Sequence, residues 1–126
     1  MNIDDYDEVS RLWHKIKGFS IRSIDDSREG VERFLQRNPE TSVVAVEDSK
    51  IVGAILCGHD GRRGCMYHVC VDPEYRMRGI GKSMVVFCHE CAEKGRISAR
   101  YPSLPLPRMM WEIPSGAASA GRSGRI

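Results

Sequence analysis

The chain has 126 residues, 41% hydrophobic and 29% charged, with a formal net charge of +2. That length points to one domain of ordinary soluble composition. No apolar run approaches the ~18 residues of a membrane span, and a balance this close to neutral carries no nucleic-acid stripe. The acidic start MNIDDYDEV lacks the basic-then-apolar pattern of a secretion signal. Five cysteines in apolar settings read as buried thiols of a reducing compartment, so the expected location is the cytoplasm.

Asp4 and Asp5 are placed to cap a helix with Val9, Leu12, Trp13 and Ile16 on one face, ended by Gly18. Asp26 and Glu29 have capping-box spacing. The helix they open turns Val31, Phe34 and Leu35 inward and stops at Asn38-Pro39. The period then changes. Residues 42–47 (SVVAVE) form a short β-branched run, Asp48-Ser49-Lys50 a tight turn, and residues 51–56 (IVGAIL) a second strand reaching Gly58. Residues 60–64 are a loop. Residues 65–71 (CMYHVCV) are a third strand, apolar on both faces and therefore expected in the middle of a sheet. Asp72-Pro73-Glu74-Tyr75 breaks it. Residues 79–94 read as a helix with Ile80, Met84, Phe87, Cys88 and Cys91 on one face, closed by Gly95. The order α-α-β-β-β-loop-α predicts an α+β layered fold, a β-meander with flanking helices.

Residues 97–126 break this grammar. They hold four prolines, no apolar period and an end rich in Gly, Ser, Ala and Arg, a composition expected to be disordered. The expected organisation is a domain over 1–96 and an atypical tail over 97–126. Cys88 and Cys91 have Cys-x-x-Cys spacing, but no second pair stands at zinc-site spacing and both fall on the inward helix face, so no metal is expected.

The stretch YRMRGIGKS, residues 75–83, carries the chemistry. It ends like a nucleotide-triphosphate loop, G-x-x-x-x-G-K-[ST], but Arg76 stands where the first glycine belongs. A dinucleotide fingerprint fails as well, because it would need glycine at Met84. What remains is an anion site. The loop joins a buried strand to a helix N-terminus, where backbone N–H groups point outward. Gly79 and Gly81 admit a ligand close to the backbone, and Arg76, Arg78 and Lys82 add positive charge. The diphosphate of a large carrier such as coenzyme A suits it; the alternative is a tight turn with solvated arginines.

The run Val71-Asp-Pro-Glu-Tyr-Arg-Met-Arg-Gly-Ile-Gly-Lys82 resembles the acetyl-CoA loop of the GNAT superfamily of N-acyltransferases, whose signature is [QR]-x-x-G-x-[GA] after a strand and a V-x-P-x-x turn. Arg76, Gly79 and Gly81 take its three defining positions, and Val71, Pro73 and Ile80 match the common surrounding choices. The resemblance covers roughly residues 2–95. It implies a GNAT-like mixed sheet with an incomplete C-terminal half, and acetyl-CoA as co-substrate in a V-shaped opening between the family's fourth and fifth strands. It further implies that Val69, Cys70 and Val71 pair with the pantetheine arm. The backbone amides of Met77, Arg78, Gly79, Ile80, Gly81 and Lys82 would hold the pyrophosphate. The acceptor would be a primary amine of a small molecule or peptide, attacking the thioester directly.

Such a reaction needs a base for the amine and a proton for the leaving thiolate. His68 and Tyr67 are the candidates, read as pointing to opposite faces of the strand. An imidazole titrates near ~6.5, which suits a base at neutral pH; the alternative for His68 is a core histidine bonded to backbone. His59 is a weaker candidate. Many family members use a tyrosine on a later helix, whereas the last tyrosine here is Tyr101. Without a further strand the third one becomes an open edge, through which two copies could pair.

The genetic code bears on the tail. Reading each tail residue's last codon base with the first two of the next forces Asp-Val-Gly across Met109, Met110, Trp111 and Glu112. The permitted string NDVGNTFWRRLGW resembles N-[DE]-[IV]-G-N-x-F-W-x-x-x-G-[FW], a segment of some GNAT members. The sequence therefore predicts a shifted frame near Arg96, and a start curtailed before the first strand usual in the family. The nucleotide sequence checks the shift: the alternate frame should read through this segment, and a stop codon within it would sink the idea.

Overall fold

Asn2, rather than Asp4 or Asp5, starts the first helical segment. In this computed structural model, which describes residues 1–94 and, by backbone only, 98–100, the Asn2 side chain accepts from the Asp4 N–H at 2.9 Å. The Asp5 carboxylate accepts from the Asn2 N–H at 2.9 Å. This reciprocal cap holds a 3₁₀ turn, Ile3–Asp5, and α1 (Tyr6–Lys15) follows directly. Val9, Leu12 and Trp13 recur at helical spacing and are buried together.

The expected Asp26–Glu29 capping box does not form. Ser27 caps α2 (Arg28–Arg37), its hydroxyl accepting from the Gly30 N–H at 3.1 Å, which leaves Asp26 for another use. At the other end Asn38 donates to the Phe34 carbonyl at 3.2 Å and accepts from the His59 N–H at 2.9 Å. One amide side chain thus ends the helix and ties it to a strand.

Among the described residues four strands form the sheet: β1 (Val43–Glu47), β2 (Lys50–His59), β3 (Arg63–Val71) and β4 (Ser98–Arg100), in spatial order β1-β2-β3-β4. The first three are the expected antiparallel meander; β4 runs parallel to β3. The hairpin between β2 and β3 is tighter than expected because the Asp60 carboxylate accepts from the N–H groups of Arg62 (2.8 Å) and Arg63 (2.7 Å). α3 (Ile80–Lys94) follows β3. Gly95, expected to close α3, residues 96 and 97, and residues 101–126 of the tail lie outside the described residues.

The sheet has two covered faces. Val44, Ala54, Leu56 and Cys70 pack with Val9, Leu12, Trp13 and Val31 of α1 and α2. Val43, Val52, Ile55 and Met66 pack with Met84, Val85 and Cys88 of α3. Each fully buried side chain of this size contributes about 1.5–3 kcal/mol.

Met66 and Cys70 sit four residues apart on one strand and should share a face. They do not, and the register shows why. Between the pairs Ala54–Cys70 and Leu56–Tyr67, β2 advances two residues and β3 three. The extra residue is a β-bulge at His68–Val69, where His68 takes φ 51°. So β3 reads as apolar on both faces because its phase switches. It does lie inside the strand order, but β4 pairs only with Arg63, Gly64 and Cys65. From Met66 onward its outer edge has no strand partner among the described residues.

Asp72 fastens the end of β3. Its N–H donates to the Val52 carbonyl at 2.7 Å. Its buried carboxylate accepts from Lys15 Nζ at 2.8 and 3.0 Å and from the Glu74 N–H at 3.0 Å. Burial pushes this carboxyl up, but Lys15, the Glu74 amide and Lys50 outweigh it and hold it below the usual range. A depressed carboxyl stabilises the fold above its unfolded pKa of about 3.9, and that stability is lost as pH falls through the lower folded value. Asp72→Asn is expected to cost about 2 kcal/mol at pH 7 and markedly less in acid. Urea melts at pH 7 and pH 3 check this; an equal loss at both would contradict the charge-based account.

Candidate functional site

After β3 the chain makes a 3₁₀ turn, Pro73–Tyr75, and Arg76 leaves it extended, its Nε donating to the Val71 carbonyl at 3.2 Å. Met77 (φ 64°) and Gly79 (φ 80°) are both left-handed. A Cβ on Gly79 would meet nothing within 4 Å, so it is the backbone conformation, not space, that favours glycine there. Met77 lies wholly in solvent.

Ile80, Gly81 and Lys82 form the first turn of α3. The first helical bond runs from the Ser83 N–H to the Gly79 carbonyl at 3.0 Å. The Ile80 and Gly81 amides therefore point out of the helix end with no acceptor inside the helix. No acidic residue stands in that turn. Arg78 reaches Glu47 at 3.4 Å and lies 5.1 Å from the Tyr75 ring centre. A depression of about 230 Å³ runs beside the loop, walled by Glu47, Val52, Arg78, Gly79, Ile80 and Ser83. Outward amides, nearby cations, open space and the positive end of a helix dipole suit a polyanion such as a diphosphate.

The three β3 residues nearest this loop differ in exposure. Val69 is half-exposed, Cys70 is buried on the α1 face, and Val71 packs on the α3 side. They lie beyond Cys65, the last β3 residue that pairs with β4 among the described residues.

The bulge overturns the expectation that Tyr67 and His68 face opposite ways. Tyr67 meets the Phe34 ring edge-on at 5.9 Å, and Phe34 packs on the α1 and α2 side. His68 lies 4.8 Å from the Trp13 ring centre and 5.0 Å from that of Phe19, on the same side. Nor is His68 bonded to backbone. Its Nε2 lies 2.6 Å from Asp26 Oδ1. The Asp26 side chain is 5% exposed and that of His68 21%. Cap spacing alone assigns Asp26 to the helix start and gives no sign of this pairing. The available signal was redundancy, since Asp25, Asp26 and Ser27 stand before a helix that needs one cap. His59 is taken up locally, its Nδ1 accepting from the Gly61 N–H at 3.2 Å.

The acetyltransferase (GNAT) domain family matches residues 38–110. An acetyltransferase of Sodalis glossinidius is 37% identical over 82 residues, which cover 65% of this chain and 56% of that protein. An uncharacterized N-acetyltransferase of Yersinia pestis is also 37% identical over 82 residues, 65% of this chain and 57% of that one. The chain thus spans somewhat over half the length of the curated relatives it matches. Among solved structures, Ard1 from Thermoplasma volcanium aligns with TM-score 0.67 and 15% identity, covering 80% of this chain and 66% of that one. The PaiA N-acetyltransferase from Thermoplasma acidophilum in complex with coenzyme A aligns with TM-score 0.63 and 16% identity, covering 80% and 74%. At these identities the likeness is one of fold.

Cys70, buried on the α1 face, is chemically quiet. Burial pushes its thiol up to about 11, so little of it is thiolate at pH 8. Iodoacetamide at pH 8 should leave Cys70 of the native protein unmodified while labelling it in urea. Peptide mass mapping checks this, and rapid native labelling would contradict it.

Proposed function

The chain belongs to the GNAT acetyltransferase family, and from that premise we propose that it transfers the acetyl group of acetyl-CoA to a primary amine of a small molecule or peptide. The observation that carries the reading is the loop of residues 76–82. Two left-handed residues, a helix whose first turn holds no acidic residue and three cations meet there, beyond the last β3 residue that pairs with β4 among the described residues.

In this reading the amides of residues 77–82 hold the pyrophosphate, with Arg76, Arg78 and Lys82 adding charge. The open edge at Val69, Cys70 and Val71 pairs with the pantetheine arm. Bound acetyl-CoA supplies an acyl carbon activated as a thioester. The amine nitrogen forms a bond to that carbon as the bond to sulfur breaks. His68 accepts the proton the nitrogen sheds, a role that contributes about 10²–10⁴-fold in rate. Burial, with Cys65 and Cys57 nearby, raises the Tyr67 phenol above its ordinary value. It is therefore a protonated donor at neutral pH, able to return a proton to the departing thiolate. The five thiols, all free, agree with a cytoplasmic setting. A second copy of the chain is a partner that the open β3 edge admits.

The second reading is an inactive, truncated member of the family, or a CoA-binding module without catalysis. The composition of residues 97–126 favours it. A thermal-shift titration with acetyl-CoA separates the two. A ligand at a hundred times its dissociation constant should stabilise the fold by about 2.7 kcal/mol. The shift should vanish in Arg76→Ala and in Gly79→Glu, which places a charged side chain at a left-handed residue. No shift in the native chain would remove the first reading; a shift without acetylation of any amine in a screen would leave the binding module.

A further inference from the structure

The Asp26–His68 pair does more than fill a gap between helices and sheet. We infer that Asp26 is a positioning residue that fixes His68 in the Nε2–H tautomer and thereby leaves Nδ1 as the proton-accepting atom. The inference rests on the reading of His68 as the base in acyl transfer.

Every polar atom of Asp26 that bears on the pair is fixed. Oδ2 accepts from the Arg22 N–H at 2.6 Å, and the Asp26 N–H donates to the Arg22 carbonyl at 2.9 Å. The Asp26 carbonyl accepts from the Tyr6 hydroxyl at 2.7 Å. That leaves Oδ1 for His68 Nε2. An ionised carboxylate has no hydrogen to give, so the nitrogen facing it carries one. In the neutral ring Nδ1 then holds the lone pair.

Nδ1 makes no hydrogen bond among the described residues. The His68 side chain is 21% exposed, so solvent reaches the ring. Trp13 and Phe19 hold the ring, and the bulge holds the backbone at φ 51°. A left-handed histidine costs of order 1 kcal/mol and persists only where its surroundings impose it. Burying a carboxylate also costs unless it is bonded. A histidine that merely fills a core needs neither expense.

Asp26→Asn gives a sharp test. The Arg22 N–H still needs an acceptor, which pins the amide oxygen toward it. The amide NH₂ then faces His68 and drives the ring to the Nδ1–H tautomer. Long-range ¹H–¹⁵N spectra of the full chain should show Nε2–H in the native protein and Nδ1–H in Asp26→Asn. In acetyl transfer from acetyl-CoA, kcat of Asp26→Asn should fall at least about a hundredfold, as in His68→Gln. KM for acetyl-CoA should stay within about twofold. Native Nδ1–H, or a native kcat in Asp26→Asn, would overturn the inference. Should the native chain neither bind acetyl-CoA nor transfer acetyl, the proposed function falls while the spectrum of the native ring still decides the tautomer. That spectrum also decides it if Asp26→Asn fails to fold.

Discussion

One extra residue in β3 organises the molecule. Between Ala54 and Leu56 the partner strand advances by two, and β3 must absorb three. His68 takes the left-handed conformation that this requires. The phase of the strand then inverts, so that Met66 packs under α3 and Cys70 under α1. Without this inversion Met66 and Cys70, four residues apart, would lie under the same layer. The inversion also brings Tyr67 and His68, neighbours in sequence, to the same side of the sheet.

The two ends of the same strand are managed by charge. Asp60 closes the hairpin before it, and Asp72 closes the strand itself, buried between Lys15 of α1 and the first amides of the following turn. Asp72 therefore ties α1 to the point where the loop of residues 76–82 departs. That loop gathers positive charge and outward amides at the start of α3, while the Asp26–His68 pair lies on the opposite face, under α1 and α2. The bulged strand is the wall common to the two.

Much of this was legible in residue order. The helices, the meander and the strand-loop-helix unit follow from contiguous signals: apolar spacing in α1 and α3, β-branched runs in β1 and β2, and Asp72-Pro73 as a stop. On α3 periodicity finds Met84 and Cys88, which are buried, and Ile80 and Phe87, which pack partly, but misses Val85 and Ala92 and takes in Cys91, which is only half-buried. The cap of α2 was misread for an instructive reason. Asp26 and Ser27 are chemically interchangeable as caps, and only the packing of His68 against the segment before α2 selects Ser27 for that task.

The loop of residues 76–82 is a property of the sequence itself. A glycine at a left-handed position, a helix start after it and cations around it are fixed within a few residues of one another. The orientation of Tyr67 and the partner of His68 are not. The first depends on a register that exists only when β3 pairs with β2, and the second on Asp26, 42 residues away in the chain. A hydrogen bond across that separation leaves no periodic trace, so it is decided only when the helices close over the sheet.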